Sequence, residues 1–144
     1  MLAAVAAMAP VEARDPAIGA AAFRIEGDTI PEPLGGLRGD GGRGLAIVLD
    51  REVGNCLICH AVPDPSQAFQ GELGPPLQGV GSRLSEGQLR LRIVDQTRLN
   101  PETIMPAYHR VEGLTNVAAR YQGRPALSAQ EVEDVVAYLA SLRE

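Results

Sequence analysis

The feature that most constrains this chain is its use of cysteine. The 144 residues contain two cysteines, Cys56 and Cys59, and His60 follows directly. Because the two thiols are three positions apart, no disulfide framework joins distant segments, and both thiols belong to one local site. On a helical turn, positions i, i+3 and i+4 share one face, so both sulfurs and the imidazole can point the same way.

The Cys-x-x-Cys-His motif is the attachment signature of a c-type haem. Cys56 and Cys59 can each form a thioether bond to a vinyl group on one porphyrin edge, while His60 coordinates the iron. One turn of chain would fix both the ring and its proximal ligand. The aromatic content of 3%, without tryptophan, fits this prediction, because a haem would supply the flat apolar body that few side chains provide.

Two other uses of the motif are weaker. A redox-active Cys-x-x-Cys of the thioredoxin kind lies between a strand and a helix, and no segment here has the alternation typical of strands. A structural zinc ion needs four ligands, and the motif together with the distant His109 would use every cysteine and histidine in the chain. A haem-free zinc or interaction module is therefore kept only as a third possibility, which a colourless protein would establish.

The distal ligand of the iron is assigned by elimination. Lysine is absent, no third cysteine exists, and Met105 is the one methionine beyond the first 13 residues. Met105 precedes Pro106 in a polar turn rather than lying in an apolar helical stripe, which favours a ligand over a core residue. His109 is the second candidate and would give a lower reduction potential. With both axial positions filled, the iron is expected to transfer electrons without binding substrate.

Hydrophobic spacing and capping residues predict three helices and no sheet. The first is capped by Asp40 and runs to Gly54; the second begins at Ser85 and ends near Asp95; the third begins at Ser128. Residues 61–83 and 111–125 are predicted as loops, and a turn or short helix opens at Asn100. The apolar residues expected on helix faces are Leu45, Val48, Leu49, Val53, Leu89, Ile93, Val132, Val135, Val136, Leu139 and Leu142.

The chain is predicted to have three parts. Residues 1–13 form a short apolar run ending in small residues, which predicts the remnant of a signal peptide cleaved after Ala13 and hence an extracytoplasmic location. A frayed apolar N-terminus is the alternative. Residues 14–38 are predicted to form an extended arm, because the stretch 27–44 is rich in Gly and Pro. Composition leaves open whether the arm is a solvated linker or binds a partner. Residues 39–144 would form the haem domain.

Charge and hydropathy exclude two classes of partner. The net charge of −5 argues against a protein that binds the phosphate backbone of nucleic acids. Beyond the first 13 residues, no apolar run approaches the length of a membrane span. The mature protein is therefore expected to be soluble.

Residues 39–144 resemble class I cytochrome c. Gly44 looks like the glycine at which that family's N- and C-terminal helices cross, so we expect it to meet the Val135/Tyr138 face of the last helix. The resemblance implies an all-α fold of three to five helices around one covalently bound haem c, with the extended arm in front.

The same resemblance implies roles for two further residues. Pro75 matches the proline whose carbonyl accepts the Nδ1 proton of the proximal histidine, a bond that orients the ligand. Arg83 matches the arginine that neutralises a haem propionate, and a solvated surface arginine is the alternative.

Four segments together resemble SoxX, the family of small cytochrome subunits of SoxAX complexes. They are residues 28–34, 54–60, 100–108 and 130–139. One departure is His109, where an aromatic residue is expected.

The resemblance to SoxX implies the electron-transfer subunit of a periplasmic L-cysteine S-thiosulfotransferase. A SoxA-like subunit would couple thiosulfate to a cysteine of a SoxYZ-like carrier, and this chain would pass the released electrons to an acceptor cytochrome. A free-standing soluble electron shuttle, which needs only the haem domain, is the alternative.

Overall fold

The computed structural model describes residues 20–144, so the predicted signal-peptide remnant and the first part of the arm lie outside the described residues. Four α-helices occur in the described part: α1 Gly41–Leu49, α2 Val80–Arg83, α3 Glu86–Asp95 and α4 Ala129–Ser141. Short 3-10 turns cover Leu34–Gly36, Cys56–Ile58, Gln96–Arg98 and Ala119–Tyr121. The β-structure in this range is one isolated bridge, Glu26 to Thr29. The all-α prediction is confirmed.

Helices α3 and α4 begin at the predicted capping residues, Ser85 and Ser128. The Ser85 hydroxyl accepts a hydrogen bond from the backbone N–H of Gln88, and the Gln88 side chain accepts one from the backbone N–H of Ser85. Ser128 and Glu131 form the same reciprocal pair. Each box satisfies two N–H groups that have no partner inside the helix. None of the helices in residues 20–144 is long and apolar enough to cross a membrane.

Helix α1 is shorter than predicted. It starts at its expected cap, where the Asp40 carboxylate accepts from the backbone N–H of Arg43, but it ends at Leu49 rather than Gly54. The Asp50 carboxylate accepts hydrogen bonds from the backbone N–H groups of Glu52 and Val53. This local turn competes with helix continuation. Val53, expected on the buried face, is consequently 37% exposed.

Helix α2 lies in a region predicted as loop, so that prediction was wrong for Val80–Arg83. This single turn depends on contacts with α4 rather than on a local pattern. The N–H of Gly81 donates to the carbonyl of Leu142, and a Cβ at Gly81 would overlap with the carbonyl oxygen of Ala140. Only a glycine allows the two backbones to approach this closely.

The hydrophobic core is built around α4. Helix α1 crosses it where Gly44 lies against Asp134 and Tyr138, so the predicted contact with Tyr138 is present. A Cβ added at Gly44 would meet the backbone of Asp134 first, and Val135 is not among its nearest neighbours. Helix α3 packs on another face of α4. Large core residues with at most 4% exposure are Ile30, Leu34, Val48, Leu57, Leu89, Leu91, Ile93, Val94, Leu127, Val132, Val135 and Val136.

The described part of the arm packs into this core. Ile30 and Leu34 are each 1% exposed, so the segment that contains them is not a solvated linker. A buried ion pair between Arg90 and Glu133 holds it in place. The guanidinium donates to both carboxylate oxygens at 2.7 and 2.9 Å and also to the Ile30 carbonyl at 2.7 Å. The backbone N–H of Leu34 donates to the same carboxylate at 2.9 Å.

Candidate haem site

A cavity of about 650 Å³ brings together five of the six site residues predicted from the sequence. They come from separate stretches of chain, and residues of the 3-10 turn near position 120 complete the wall. The five are Cys56, Cys59, His60, Pro75 and Met105.

The cysteine motif forms a tight turn at the cavity wall. Cys56–Ile58 is a 3-10 turn, and the carbonyl of Cys56 accepts hydrogen bonds from the N–H groups of Cys59 and His60 at 3.1 and 2.9 Å. Asn55 enters it with a φ of 50°, a left-handed conformation that asparagine tolerates better than most residues. Both thiols are free and half-buried. The turn thus presents two sulfurs and an imidazole to one cavity.

Burial raises the pKa of the Cys56 thiol to about 11, with the neighbouring Cys59 adding a smaller effect in the same direction. Cys56 is therefore protonated at neutral pH. A thiol in this form is poorly suited to act as a thiolate nucleophile.

The imidazole of His60 is held in one orientation by residues 74 and 75. Its Nδ1 lies 2.7 Å from the carbonyl oxygen of Pro75. Because a carbonyl can only accept, Nδ1 carries the proton, and in the neutral ring Nε2 is the nitrogen left with a lone pair that could bind a metal ion. A Cβ at Gly74 would overlap with the imidazole ring, so glycine leaves the space that the ring occupies.

Met105 reaches the cavity on a loop that is braced by its own hydrogen bonds. The N–H of Met105 donates to the hydroxyl of Thr103 at 3.1 Å, and the N–H of Thr103 donates to the carbonyl of Asn100 at 3.1 Å. Met105 is half-buried and lines the cavity from a segment outside the helices. Thioether sulfur is an established axial ligand of haem iron.

His109, the second candidate for the distal ligand, has no free ring nitrogen. It is 1% exposed and does not line the cavity. Its Nδ1 lies 2.8 Å from the carbonyl of Leu127, and its Nε2 accepts a hydrogen bond from the N–H of Ala21 at 2.9 Å. Burial lowers the pKa of His109, and the bond to Leu127 and the charge of Glu133 offset this only in part. The residue is a neutral structural histidine.

Arg83 is the one predicted site residue that the structure does not bring to the cavity. Its guanidinium donates to the carbonyls of Gln78 and Pro76 at 2.7 and 3.2 Å. Arginine does line the cavity at positions 51 and 120, and the Arg120 guanidinium lies 5.0 Å from the centre of the Tyr121 ring. The role of Arg83 toward a propionate stays a prediction, and no sequence motif identified Arg120.

The residues present fit a covalent haem. The cavity has the size of a typical ligand pocket, roughly 300–1,000 Å³. Two free thiols, an imidazole with an available Nε2 and a thioether all face it. Among residues 20–144, no cluster of three or more His, Cys, Asp and Glu side chains is suited to a bare metal ion.

Comparisons with known proteins point to a cytochrome c domain. The family model for cytochrome c matches residues 43–143. The solved structure of SoxXA from P. pantotrophus is similar, with 32% identity, coverage of 85% of this chain and 95% of that chain, and a TM-score of 0.78. Ferric cytochrome c-550 from Paracoccus versutus is 20% identical over 74% of this chain and 100% of that chain, with a TM-score of 0.41, too weak a likeness to add to the assignment. No curated protein sequence matches.

The motif, the cavity and the comparisons point to one cofactor. A cytochrome c domain with a Cys-x-x-Cys-His motif binds haem c through covalent bonds. The family model matches residues 43–143, and the similarity to the SoxXA structure covers 85% of the chain. The chain therefore belongs to the cytochrome c family and, within that family, to the SoxX-type cytochromes.

Proposed function

We propose that this chain is the electron-transfer subunit of a periplasmic SoxAX-type L-cysteine S-thiosulfotransferase. The observation that carries the proposal is the 32% identity to the SoxXA structure over 85% of the chain. Its partners would be a SoxA-like cytochrome in a heterodimer, a SoxYZ-like sulfur carrier and an acceptor cytochrome.

The reaction served by the complex forms a sulfur–sulfur bond. The sulfur of a carrier cysteine joins the terminal sulfur of thiosulfate, and one proton and two electrons are released. The SoxA-like subunit would hold the reacting groups, and the acceptor cytochrome would be the oxidant. This chain, with one attachment motif, would carry the electrons one at a time.

The chain's own residues would hold one haem with His60 and Met105 as axial ligands. When bound, the haem supplies a one-electron iron couple. Cys56 and Cys59 would anchor its edge. The Pro75 carbonyl, 2.7 Å from Nδ1 of His60, keeps the imidazole in the tautomer that offers Nε2 and makes that nitrogen a better donor.

Co-purification tests the assignment to a complex. The full chain is matured with haem in the presence of a SoxA-like protein, and the mixture is separated by size. We expect a stable heterodimer whose haem is reduced when thiosulfate and the carrier protein are added. A chain that stays monomeric, with residues 15–42 intact, is instead the free-standing electron shuttle.

Replacing Met105 tests the distal ligand. In Met105→Ala the thioether is gone, so we expect the weak near-red iron–sulfur charge-transfer band to disappear and the reduction potential to fall. The measurement is an optical spectrum of the ferric protein together with a redox titration. His109→Gln is the control, because the nitrogens of His109 are already hydrogen-bonded elsewhere. If Met105→Ala has the spectrum of the wild-type protein, methionine is not the ligand.

A further inference from the structure

Tyr108 is a residue of the cavity wall for which the proposed function has no role. It is half-buried, and its hydroxyl donates a hydrogen bond of 2.7 Å to the carbonyl of Gly54, which is 54 positions earlier in the chain. Tyr108 follows Met105 by three residues, and Gly54 precedes Cys56 by two. One hydrogen bond therefore joins the segment with the methionine to the segment with the cysteine motif.

We propose that Tyr108 is a positioning residue for the distal ligand: its hydroxyl, bound to Gly54, holds the Met105 loop (residues 100–107) in place and so keeps the thioether on the iron. This inference rests on the proposed ligation by Met105. It goes beyond that ligation by giving a role to Tyr108, a residue that need not contact the iron.

The base of the Tyr108 side chain is fixed to the body of the protein. The backbone N–H of Tyr108 donates to the carbonyl of Ile93 in α3 at 3.2 Å, and its own carbonyl accepts from the N–H of Leu127 at 2.8 Å. With both backbone groups engaged, the position of the ring is set by α3 and by the segment before α4. The hydroxyl at the end of the ring is then a fixed donor.

The acceptor is equally well fixed. Gly54 is buried, and a Cβ there would overlap with the carbonyl oxygen of Ile47 in α1. The next residue, Asn55, donates its N–H to the carbonyl of Asp50 at 2.8 Å and adopts a φ of 50°. The Gly54 carbonyl therefore belongs to a turn packed on the end of α1, and the bond from Tyr108 spans two rigid supports.

The Met105 loop has few other constraints. Between positions 101 and 107, the hydrogen bonds in the described structure are local to the loop, such as those of Met105 and Thr103. Tyr108 is the first residue after Met105 with bonds to distant parts of the chain. Burial raises the pKa of Tyr108, and the nearby Cys56 and Cys59 act in the same direction, so the hydroxyl remains a donor over a wide pH range.

Competition with imidazole measures how often the loop opens. Free imidazole can bind the ferric iron only when Met105 has left, so its apparent affinity is proportional to the population of the opened loop. Tyr108→Phe keeps the ring and removes one oxygen atom. We expect the apparent Kd of imidazole for the ferric holoprotein to fall about three- to tenfold, the effect of losing one hydrogen bond.

Two controls separate positioning from a general loss of stability. Tyr138→Phe removes the hydroxyl of a tyrosine in α4 that does not line the cavity, and we expect the wild-type imidazole affinity. In a Met105→Ala background, no thioether has to leave, so adding Tyr108→Phe should leave the imidazole affinity unchanged. Far-UV circular dichroism checks that each variant is folded.

The outcomes distinguish this inference from the assignment on which it rests. If Met105→Ala leaves the ferric spectrum unchanged, the proposed ligation fails. If that variant loses the near-red band but Tyr108→Phe binds imidazole with wild-type affinity, the ligation stands and the positioning role of Tyr108 is overturned. An equal shift with and without Met105 also overturns it, because Tyr108 would then act on the cavity rather than on the loop.

Discussion

His109 illustrates at the scale of one residue how a potential ligand serves another purpose. Its two ring nitrogens link the N–H of Ala21, in the arm, to the carbonyl of Leu127, just before α4. A neutral imidazole has one donor and one acceptor, which is the pair of groups that these two partners require. A protonated imidazole has two donors, so it could keep the bond to Leu127 but not the one from Ala21.

This arrangement predicts a stability that falls in mild acid. Burial holds the pKa of His109 in the folded protein below its ordinary value of 6.5. Above that value the imidazole is neutral in both the folded and the unfolded chain. As the pH falls below about 6.5, the unfolded chain binds a proton more readily, and the free energy of unfolding decreases.

Urea unfolding of the holoprotein at pH 7 and pH 5 checks this prediction. We expect His109→Gln to be less stable than the wild type at pH 7, by about 1–3 kcal/mol for the disturbed buried hydrogen bonds. The difference in the free energy of unfolding between the two proteins should be smaller at pH 5, because only the wild type has the titrating group and loses stability through it. Carboxyl groups titrate in both proteins, so the comparison isolates His109. A gap that is unchanged or wider at pH 5 contradicts the prediction.

Sequence reasoning found the residues whose chemistry is local. Cys56, Cys59 and His60 were predictable because the haem-attachment motif is defined by their spacing, and Met105 remains the ligand predicted by elimination in a chain with few possible ligands. The contribution of Tyr108 could not be found in this way. Its partner is a backbone carbonyl 54 positions away, and no pattern of side chains indicates such a bond.

At the scale of helices, the crossing of α1 and α4 is fixed by both close packing and charge. A Cβ at Gly44 would overlap with the carbonyl oxygen of Asp134. Beside this contact, the Arg43 guanidinium donates two hydrogen bonds of 2.7 Å to the Asp134 carboxylate, and the N–H of Asp40 donates another at 2.8 Å. Burial alone would raise the pKa of Asp134, but these donors hold it below its usual value.

Gly44→Ala should force the two helices apart. The added methyl group meets backbone rather than a movable side chain, so we expect a loss of about 1–3 kcal/mol or more in the free energy of unfolding. Gly41→Ala is the matched control in the same helix, where a Cβ would lie 3.7 Å from its nearest neighbour in Tyr138. Chemical denaturation of both holoproteins measures the difference. Equal stabilities would show that α1 moves aside without cost.

Some helix boundaries are set by local sequence, and others are set by tertiary contacts. The starts of α3 and α4 were predictable, because the capping residues Ser85 and Ser128 act within one turn of chain. Helix α1 ends where the Asp50 carboxylate accepts hydrogen bonds from the next backbone N–H groups and so stabilises a turn instead of a further helical turn. Helix α2 forms where Gly81 meets the end of α4, a contact that sequence spacing does not reveal.

At the scale of the whole molecule, the Arg90–Glu133 pair joins the arm, α3 and α4. Both side chains are almost fully buried, at 2% and 4% exposure. Breaking a buried pair leaves a charge without a partner, which costs about 3–5 kcal/mol. Glu133→Gln, which is nearly isosteric, should therefore destabilise the holoprotein by roughly this amount in chemical denaturation.

The control for this prediction lies on the arm itself. Arg24 and Glu26 also form an ion pair, but their side chains are 79% and 49% exposed. We expect Glu26→Gln to change the free energy of unfolding by about 1 kcal/mol or less. If both substitutions have the same small effect, the buried pair does not hold the arm to the domain.

The docking of the arm also has a consequence for the time course of folding. Ala21 finds its partner 88 positions later, and Leu34 finds its partner 99 positions later. Contacts between such distant positions form slowly, because the entropy of closing a long stretch of chain is lost before the contacts stabilise the fold. As the polypeptide emerges N-terminus first, the hydrogen bonds of the arm to the domain cannot form until α3 has been made, and the bond to Glu133 waits for α4. The first segment of the described chain to be synthesised is thus among the last to fold.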